Sequence, residues 1–180
     1  MLWHGSKKIF TKFALTFCGR GDHATNGALG IWCAFGSDEE LAEQFAGRTG
    51  AVYGIRNPAG TVYPMDINEL RDLHDAAYNL GDDAAQTAFY DRIRLDLIAK
   101  GYGCIDIVEL DGQHSMCIVL DAEAAHIVSR KIRVLQAGVG AGGCETEVLG
   151  WREDWSANDR DADVDLTGSA KVIDTPGMEF

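Results

Sequence analysis

The sequence is poor in positive charge and has no long apolar run. Its 180 residues include 16 Lys and Arg against 28 Asp and Glu, a formal net charge of −12. This balance argues against a general electrostatic attraction to nucleic acid or anionic lipid, although a local basic patch could still reach a nucleic-acid substrate. No apolar segment approaches the roughly 20 residues that span a bilayer. Lys7 and Lys8 interrupt any apolar run near the N-terminus, so we expect no signal peptide and a cytoplasmic protein, in the producing or the target cell.

Cysteine is also scarce, and its spacing has no recognisable pattern. The five cysteines are an odd number, and no C-x-x-C pair occurs among them. Such spacing is not typical of a zinc site or a disulfide scaffold, so we predict no metal site. Cys33, Cys104 and Cys117 lie in apolar runs, which predicts buried free thiols.

The length and composition fit one domain with a sizeable core. Apolar residues make up 46% of the chain, which is ordinary for a globular protein. We expect a single domain over residues 1–150. Residues 151–180 are rich in carboxylates and have little periodicity, so we expect an extended or partly disordered acidic tail there.

Helix and strand signals mix along the chain and predict an α+β fold. Helical spacing of apolar residues covers three segments, residues 38–46, 67–80 and 83–100. Short apolar segments bounded by turn residues predict strands at residues 1–4, 30–35, 51–55, 61–66, 104–110, 115–120 and 131–137. Asp111-Gly112 predicts a hairpin between two of these strands.

Two stretches near the N-terminus carry side chains that suit a nucleotide. Residues 2–6 (LWHGS) form a short strand signal with a histidine and a glycine, and residues 27–35 (GALGIWCAF) run from a glycine-spaced turn into a strand. An aromatic ring such as Trp32 can stack on a planar base. A glycine lets a ligand amide reach the main chain, and a histidine can donate a hydrogen bond to a sugar hydroxyl.

These two stretches, about 25 residues apart, resemble the nicotinamide pocket of the ADP-ribosyltransferases of the His-Tyr-Glu type, the branch of diphtheria toxin and the poly-ADP-ribose polymerases. In that branch the two strands have the sequence patterns L-[YFW]-H-G-[ST] and G-x-G-I-Y-F. Here His4 and Gly5 match, and Trp32 stands at the tyrosine position. Residues 100–127 are similar to the C-terminal half of the small phage- and polyvalent-protein-type domains. The resemblance implies split antiparallel β-sheets with flanking helices around an NAD cleft.

The resemblance also implies roles for individual residues. His4 would hold the adenosine-side ribose, Gly5 would bind the nicotinamide carboxamide with support from Ser6, and Trp32 and Phe45 would stack on the nicotinamide. Arg20 would reach the pyrophosphate, since guanidinium suits bidentate phosphate contacts. The full set implied to bind NAD is His4, Gly5, Ser6, Arg20, Gly30, Trp32, Ala42 and Phe45.

The family's catalytic glutamate is the main departure from the pattern. Aligning residues 118–121 (IVLD) with the family's I-V-Y-D places Met116 at the glutamate position. Gln113 and His114 are polar alternatives if the hairpin register differs, and Glu109 is another across the hairpin. The predicted catalytic set is therefore His4, Trp32, Gln113 and Met116.

Three functions remain open from the sequence. The resemblance implies an NAD-dependent mono-ADP-ribosyltransferase of effector, toxin or phage type, with NAD as substrate and a protein or nucleic-acid acceptor. The first alternative is a catalytically inactive relative that binds NAD or ADP-ribose. The second is a structural interaction domain without a ligand.

Overall fold

The computed structural model describes residues 1–14, 25–139 and 145–156. These residues form a mixed α/β structure with one eight-stranded sheet and three α-helices. The strands are β1 Leu2–Ser6, β2 Ile31–Phe35, β3 Ala51–Ile55, β4 Thr61–Asp66, β5 Tyr102–Val108, β6 His114–Val119, β7 Ile127–Val139 and β8 Glu145–Ser156. The helices are α1 Glu39–Ala46, α2 Ile67–Tyr78 and α3 Asp83–Ala99, and short 3-10 helices occur at Thr25–Leu29 and Ala122–Ala124. None of the helices in these described ranges is long and apolar enough to cross a membrane.

The strand order in the sheet is β4-β5-β6-β2-β1-β3-β7-β8. All neighbouring pairs are antiparallel except β4 and β5, which pair in parallel. The expectation of antiparallel pairing is therefore wrong at this edge. Parallel neighbours need a crossover connection, and the hairpin of α2 and α3 between the two strands supplies it.

The centre of the sheet is its weakest junction. β1 pairs with β2 through only two residue pairs, Leu2 with Phe35 and Trp3 with Ala34. On its other side β1 pairs with β3 along its whole length, from Leu2 to Ser6. The sheet is thus two four-stranded halves, joined near the start of β1 and diverging toward Ser6.

The two faces of the sheet are covered differently. On one face, a single apolar cluster spans both halves and includes Leu2, Ile31, Tyr53 and Cys117. On the opposite face, which we call the helical face, the core is divided. Over one half, α2, α3 and the first 3-10 helix cover a cluster that includes Ile105 and Ile118; over the other half, α1 covers a smaller cluster of Ala42, Ala46 and Val52.

Most predicted elements are confirmed within a few residues. β3 and β4 match the predicted bounds, and Asp82 caps α3 by accepting a hydrogen bond from Ala84 N at 2.9 Å. Asp38 holds the N-cap position of α1, with no side-chain cap bond. The predicted free and buried state of Cys33, Cys104 and Cys117 is confirmed.

The C-terminal part of the described chain forms a two-stranded ribbon. β7 begins before and ends after the predicted strand at 131–137, and β8 pairs with it antiparallel across residue 150, where we expect the acidic tail to begin. Trp151 lies in β8 and packs against the cluster under α1. The remainder of the tail, from residue 157, lies outside the described residues.

Candidate functional site

Gly5 is the point at which β1 meets α1. A Cβ atom built on Gly5 would lie 1.7 Å from the Ala42 carbonyl oxygen and 3.0 Å from Ala46 N. No side chain fits there, so the glycine allows the helix backbone to lie directly on the strand. Ala42 is only 2% exposed. The chain therefore brings together Gly5 and Ala42, two residues of the predicted NAD-binding set that are far apart in sequence.

The orientation of α1 is fixed by an ion-pair cluster with β7. Lys131 Nζ pairs with Glu39 and, at 2.9 Å, with Glu43. Measured around the helix from Ala42, Glu43 lies about 100° to one side and Phe45 about 60° to the other. In the sheet, β3 and β7 lie on one side of β1 and β2 lies on the other. Because Glu43 points toward β7, the flank of α1 that carries Phe45 faces β2. Phe45 is 61% exposed, so its ring is free to meet a ligand.

His4 lies on the opposite face of β1 from Gly5 and is half-buried among aromatic rings. Its ring centroid is 5.1 Å from that of Phe13, 6.3 Å from that of Tyr53 and 6.4 Å from that of Phe10. Its Nδ1–H donates to the Trp32 carbonyl at 2.8 Å, across the gap where β1 and β2 diverge. The sequence predicts no role for Tyr53, because its place in a short apolar strand carries no such signal.

The environment of His4 fixes its charge state. Burial lowers the pKa of His4 below its ordinary value of 6.5, against the opposing effect of the bond to the Trp32 carbonyl. At neutral pH the ring is therefore uncharged. Because Nδ1 carries the proton, Nε2 has the free lone pair and can accept a hydrogen bond from a hydroxyl group. This reverses the donor role that the sequence suggested for neutral His4.

Trp32 lies on the helical face. Its indole Nε1–H donates to the Asn26 carbonyl at 3.2 Å, and its half-buried ring packs against the cluster under α2 and α3. Gly30, just before β2, has φ +149°, and a Cβ there would lie 2.4 Å from the Val119 carbonyl oxygen. Gly30 is thus required by the close approach of β2 to β6.

Met116 lies opposite Ala34 in the β2–β6 pairing and opposite Ile107 in the β5–β6 pairing. Alternation along β6 places it on the helical face with Ile118 and Trp32. It is half-buried. The residue at the glutamate position of the resemblance therefore lies on the same face as Gly5, two strands away.

The polar alternatives to Met116 lie in the turn. Gln113 is exposed, its N–H donates to Asp111 Oδ1 at 3.0 Å, and its carbonyl accepts from Glu109 N at 2.8 Å. A bulge at Val108 and His114 sets the register of the hairpin. Gln113 precedes the first residue of β6, so this register does not bring it to the position of Met116. His114 bonds instead to Asp106 Oδ2 at 2.6 Å.

Ser6 ends β1, and its Oγ accepts a hydrogen bond from Lys8 N at 3.1 Å. Arg20 lies outside the described residues. A separate cavity of about 540 Å³ lies away from this junction, between α2, α3 and the β4 edge, and is lined in part by Tyr63, Glu69 and Tyr102. Among the residues that the structure describes, no group of three or more His, Cys, Asp or Glu is placed to hold a metal ion.

The geometry thus brings together four predicted residues on the helical face near the sheet junction, Gly5, Trp32, Ala42 and Met116, with Phe45 on the flank of α1 that faces β2. His4 reaches the same junction from the other face. Comparison with family models, with curated proteins and with solved structures finds no match to this chain.

Proposed function

We propose that this protein is an NAD-dependent mono-ADP-ribosyltransferase that transfers ADP-ribose to a protein or nucleic-acid acceptor. The observation that carries the proposal is the meeting of the two resembling stretches at one place. Gly5 and Trp32, from β1 and β2, lie on one face beside Ala42, and His4 bridges the two strands through the Trp32 carbonyl. An ADP-ribosyltransferase-like arrangement, with NAD between two half-sheets, accounts for the divergence of β1 from β2.

Each residue has a task in this proposal that its surroundings permit. The exposed ring of Phe45 and the half-buried ring of Trp32 offer flat surfaces for the nicotinamide, and offset stacking adds about 0.5–1.5 kcal/mol beyond burial. The backbone of Gly5 is accessible to a carboxamide only from the strand edge that diverges from β2. The neutral imidazole of His4 accepts a hydrogen bond from a ribose hydroxyl through Nε2.

The reaction breaks the bond between the nicotinamide nitrogen and the ribose C1′. Nicotinamide leaves with the bonding electrons, positive charge develops on the ribose, and a nucleophile of the acceptor forms the new bond to C1′ and releases its proton. A carboxylate normally stabilises such charge. Met116 supplies none, so the acceptor has to contribute more to this transition state than in a family member with glutamate.

Met116 also favours a second candidate function. A site that keeps the residues that bind NAD and lacks the carboxylate is suited to hold NAD or ADP-ribose without turnover. This binding module differs from the enzyme in one measurable respect, the release of nicotinamide.

The first test measures nicotinamide release from NAD, with the protein alone and with a cell extract, beside the NAD-induced shift in the thermal midpoint. Release, or transfer of labelled ADP-ribose to a component of the extract, supports the enzyme. A thermal shift without release favours the binding module. The absence of both signals contradicts both functions.

A sharper test restores the missing charge. We expect Met116→Glu to raise nicotinamide release by about 100-fold, the scale on which one electrostatic contact acts in a transition state. The matched control is Met116→Gln, which has a similar size and no charge and should leave the rate unchanged. Equal rates in the two variants would show that residue 116 does not face the reacting ribose.

A further inference from the structure

α3 carries apolar side chains on the side that faces away from the sheet. Its buried residues, Tyr90, Arg94 and Leu97, point into the core. At about 100° of rotation per residue, a second apolar set lies on the opposite side of the helix, and all of its members are exposed. We call this surface the outer stripe, and its members are Ala84, Ala88, Leu95, Ile98 and Ala99.

The outer stripe belongs to the part of the molecule where apolar side chains are most exposed. Nine large apolar side chains of the described residues are exposed, and four of them lie within residues 78–98. These four are Tyr78, Leu80, Leu95 and Ile98. A helix that is apolar on all sides is normally buried, and a concentrated apolar patch marks an interaction surface. The outer side of α3 is therefore suited to contact another surface.

Two opposite charges flank the middle of the outer stripe. Measured around the helix from Leu95, Asp91 lies about 40° to one side and Arg92 about 60° to the other. Asp91 Oδ1 accepts hydrogen bonds from Arg94 Nη2 at 2.5 Å and Nε at 3.2 Å. Both bonds use Oδ1, and the Asp91 side chain is 46% exposed, so Oδ2 can accept from a further donor. The Arg92 side chain is exposed as well.

These charges distinguish the two ways in which a two-fold axis can pair the stripes of two copies. If the helices are antiparallel, each flank meets the same flank of the second copy, and Asp91 lies beside Asp91. If the helices are parallel, each flank meets the opposite flank, and Asp91 lies beside Arg92 of the second copy, twice. Because like charges repel and opposite charges attract, the parallel arrangement is favoured.

We propose that two copies of this protein associate through the outer stripe, with their α3 helices parallel. The stripe is complementary to itself in this arrangement, since one flank carries the charge that the other flank needs and the apolar residues between them meet their own counterparts. One helix face from each copy makes an interface of the small class, below about 1,200 Å², so we expect a dimer in equilibrium with the monomer. The proposal does not depend on the proposed function.

The experiment measures the mass of the protein by sedimentation equilibrium at about 10 to 500 micromolar, the range suited to a small interface. The mass should rise with concentration from 19.5 kDa toward twice that value. Leu95→Glu places two like charges in the middle of the interface and should keep the mass at 19.5 kDa. The matched control is Leu110→Glu, in the turn between β5 and β6, where the leucine is 77% exposed; this variant should associate like the parent protein.

A second measurement tests the direction of the helices. In parallel helices Leu95 lies beside Leu95 of the second copy, so Leu95→Cys alone should be joined into a covalent dimer by a short bismaleimide. In antiparallel helices paired about the middle of the stripe, Leu95 lies beside Ala88, so a covalent dimer would need a mixture of Leu95→Cys and Ala88→Cys. The parent protein, treated in the same way, corrects for its own five cysteines.

Three results would overturn the proposal. These are a mass of 19.5 kDa at every concentration, equal behaviour of the two glutamate variants, and crosslinking only in the mixture of cysteine variants. If Leu95→Glu lowers the thermal midpoint of a protein that is always monomeric, the stripe is covered by the chain's own residues outside the described ranges. None of these results affects nicotinamide release or the NAD-induced thermal shift, so the interface and the proposed function can fail separately.

Discussion

Replacing Gly5 with alanine should displace α1 from the sheet. The new Cβ would lie 1.7 Å from the Ala42 carbonyl oxygen, and comfortable contact needs about 3.5 Å, so the helix backbone must retreat by about 1.8 Å. Overpacking of this kind costs about 1–3 kcal/mol. For a chain of this size that lowers the thermal midpoint by about 2–12 °C. Phe45 moves with the helix, so the NAD-induced thermal shift should be lost as well.

Gly36→Ala is the matched control for this substitution. A Cβ on Gly36 would meet only the Met1 carbonyl group, whose oxygen would lie 3.1 Å away, and Met1 is 55% exposed. We expect its unfolding free energy to stay within about 0.5 kcal/mol of the parent protein. Differential scanning fluorimetry, with and without NAD, compares the three proteins. If Gly5→Ala has the same thermal midpoint as Gly36→Ala and still shows the NAD-induced thermal shift, the contact between β1 and α1 does not shape the site.

Two further predictions concern the surroundings of His4. Burial lowers the pKa of His4 in the folded protein, so the unfolded chain binds the proton more readily. The contribution of neutral His4 to the unfolding free energy is therefore complete above about pH 6.5. It is lost as the pH falls toward the folded pKa, by at most about 1.4 kcal/mol per pH unit. The unfolding free energy, measured with urea at pH 7.5 to 5.5, should fall less steeply with decreasing pH in His4→Gln than in the parent protein. An equal pH dependence in the two proteins would contradict the lowered pKa of His4. Tyr53→Phe removes the bonds to Phe10 and Lys8 and should lower the unfolding free energy by about 1–3 kcal/mol. A loss below about 0.5 kcal/mol in urea unfolding would mean that water replaces both bonds.

The sequence predicts local structure well where one signal dominates. β3 and β4 stand between clear turn residues, and α3 begins at a capping aspartate, so their bounds could be read directly. The apolar spacing of α3 indicates most of its buried side, since Leu97 is buried and Phe89 and Ile93 pack in the same cluster. The same side also buries the charged Arg94, which donates to the Leu120 carbonyl at 3.3 Å. A buried arginine is set by its tertiary partners and leaves no periodic signal.

The candidate site is likewise predictable from the sequence only in part. The positions of His4 and Gly5 on a first strand follow from the pattern, because each lies in a short apolar segment. The exposure of Phe45 does not follow, since helical spacing groups it with Ala42 as core. Its direction depends on how Lys131 of β7, 86 residues after Phe45, rotates α1 through Glu39 and Glu43. Long-range pairings of this kind are absent from any local window of sequence.

The divided core of the helical face gives the molecule an uneven stiffness. On the other face, Leu2, Ile31 and Tyr53 belong to one apolar cluster, so parting the half-sheets there would expose buried surface. On the helical face, the clusters under α1 and under α2 and α3 are already separate. A ligand that binds between these two clusters disrupts neither of them, while the continuous cluster on the opposite face holds the two half-sheets together.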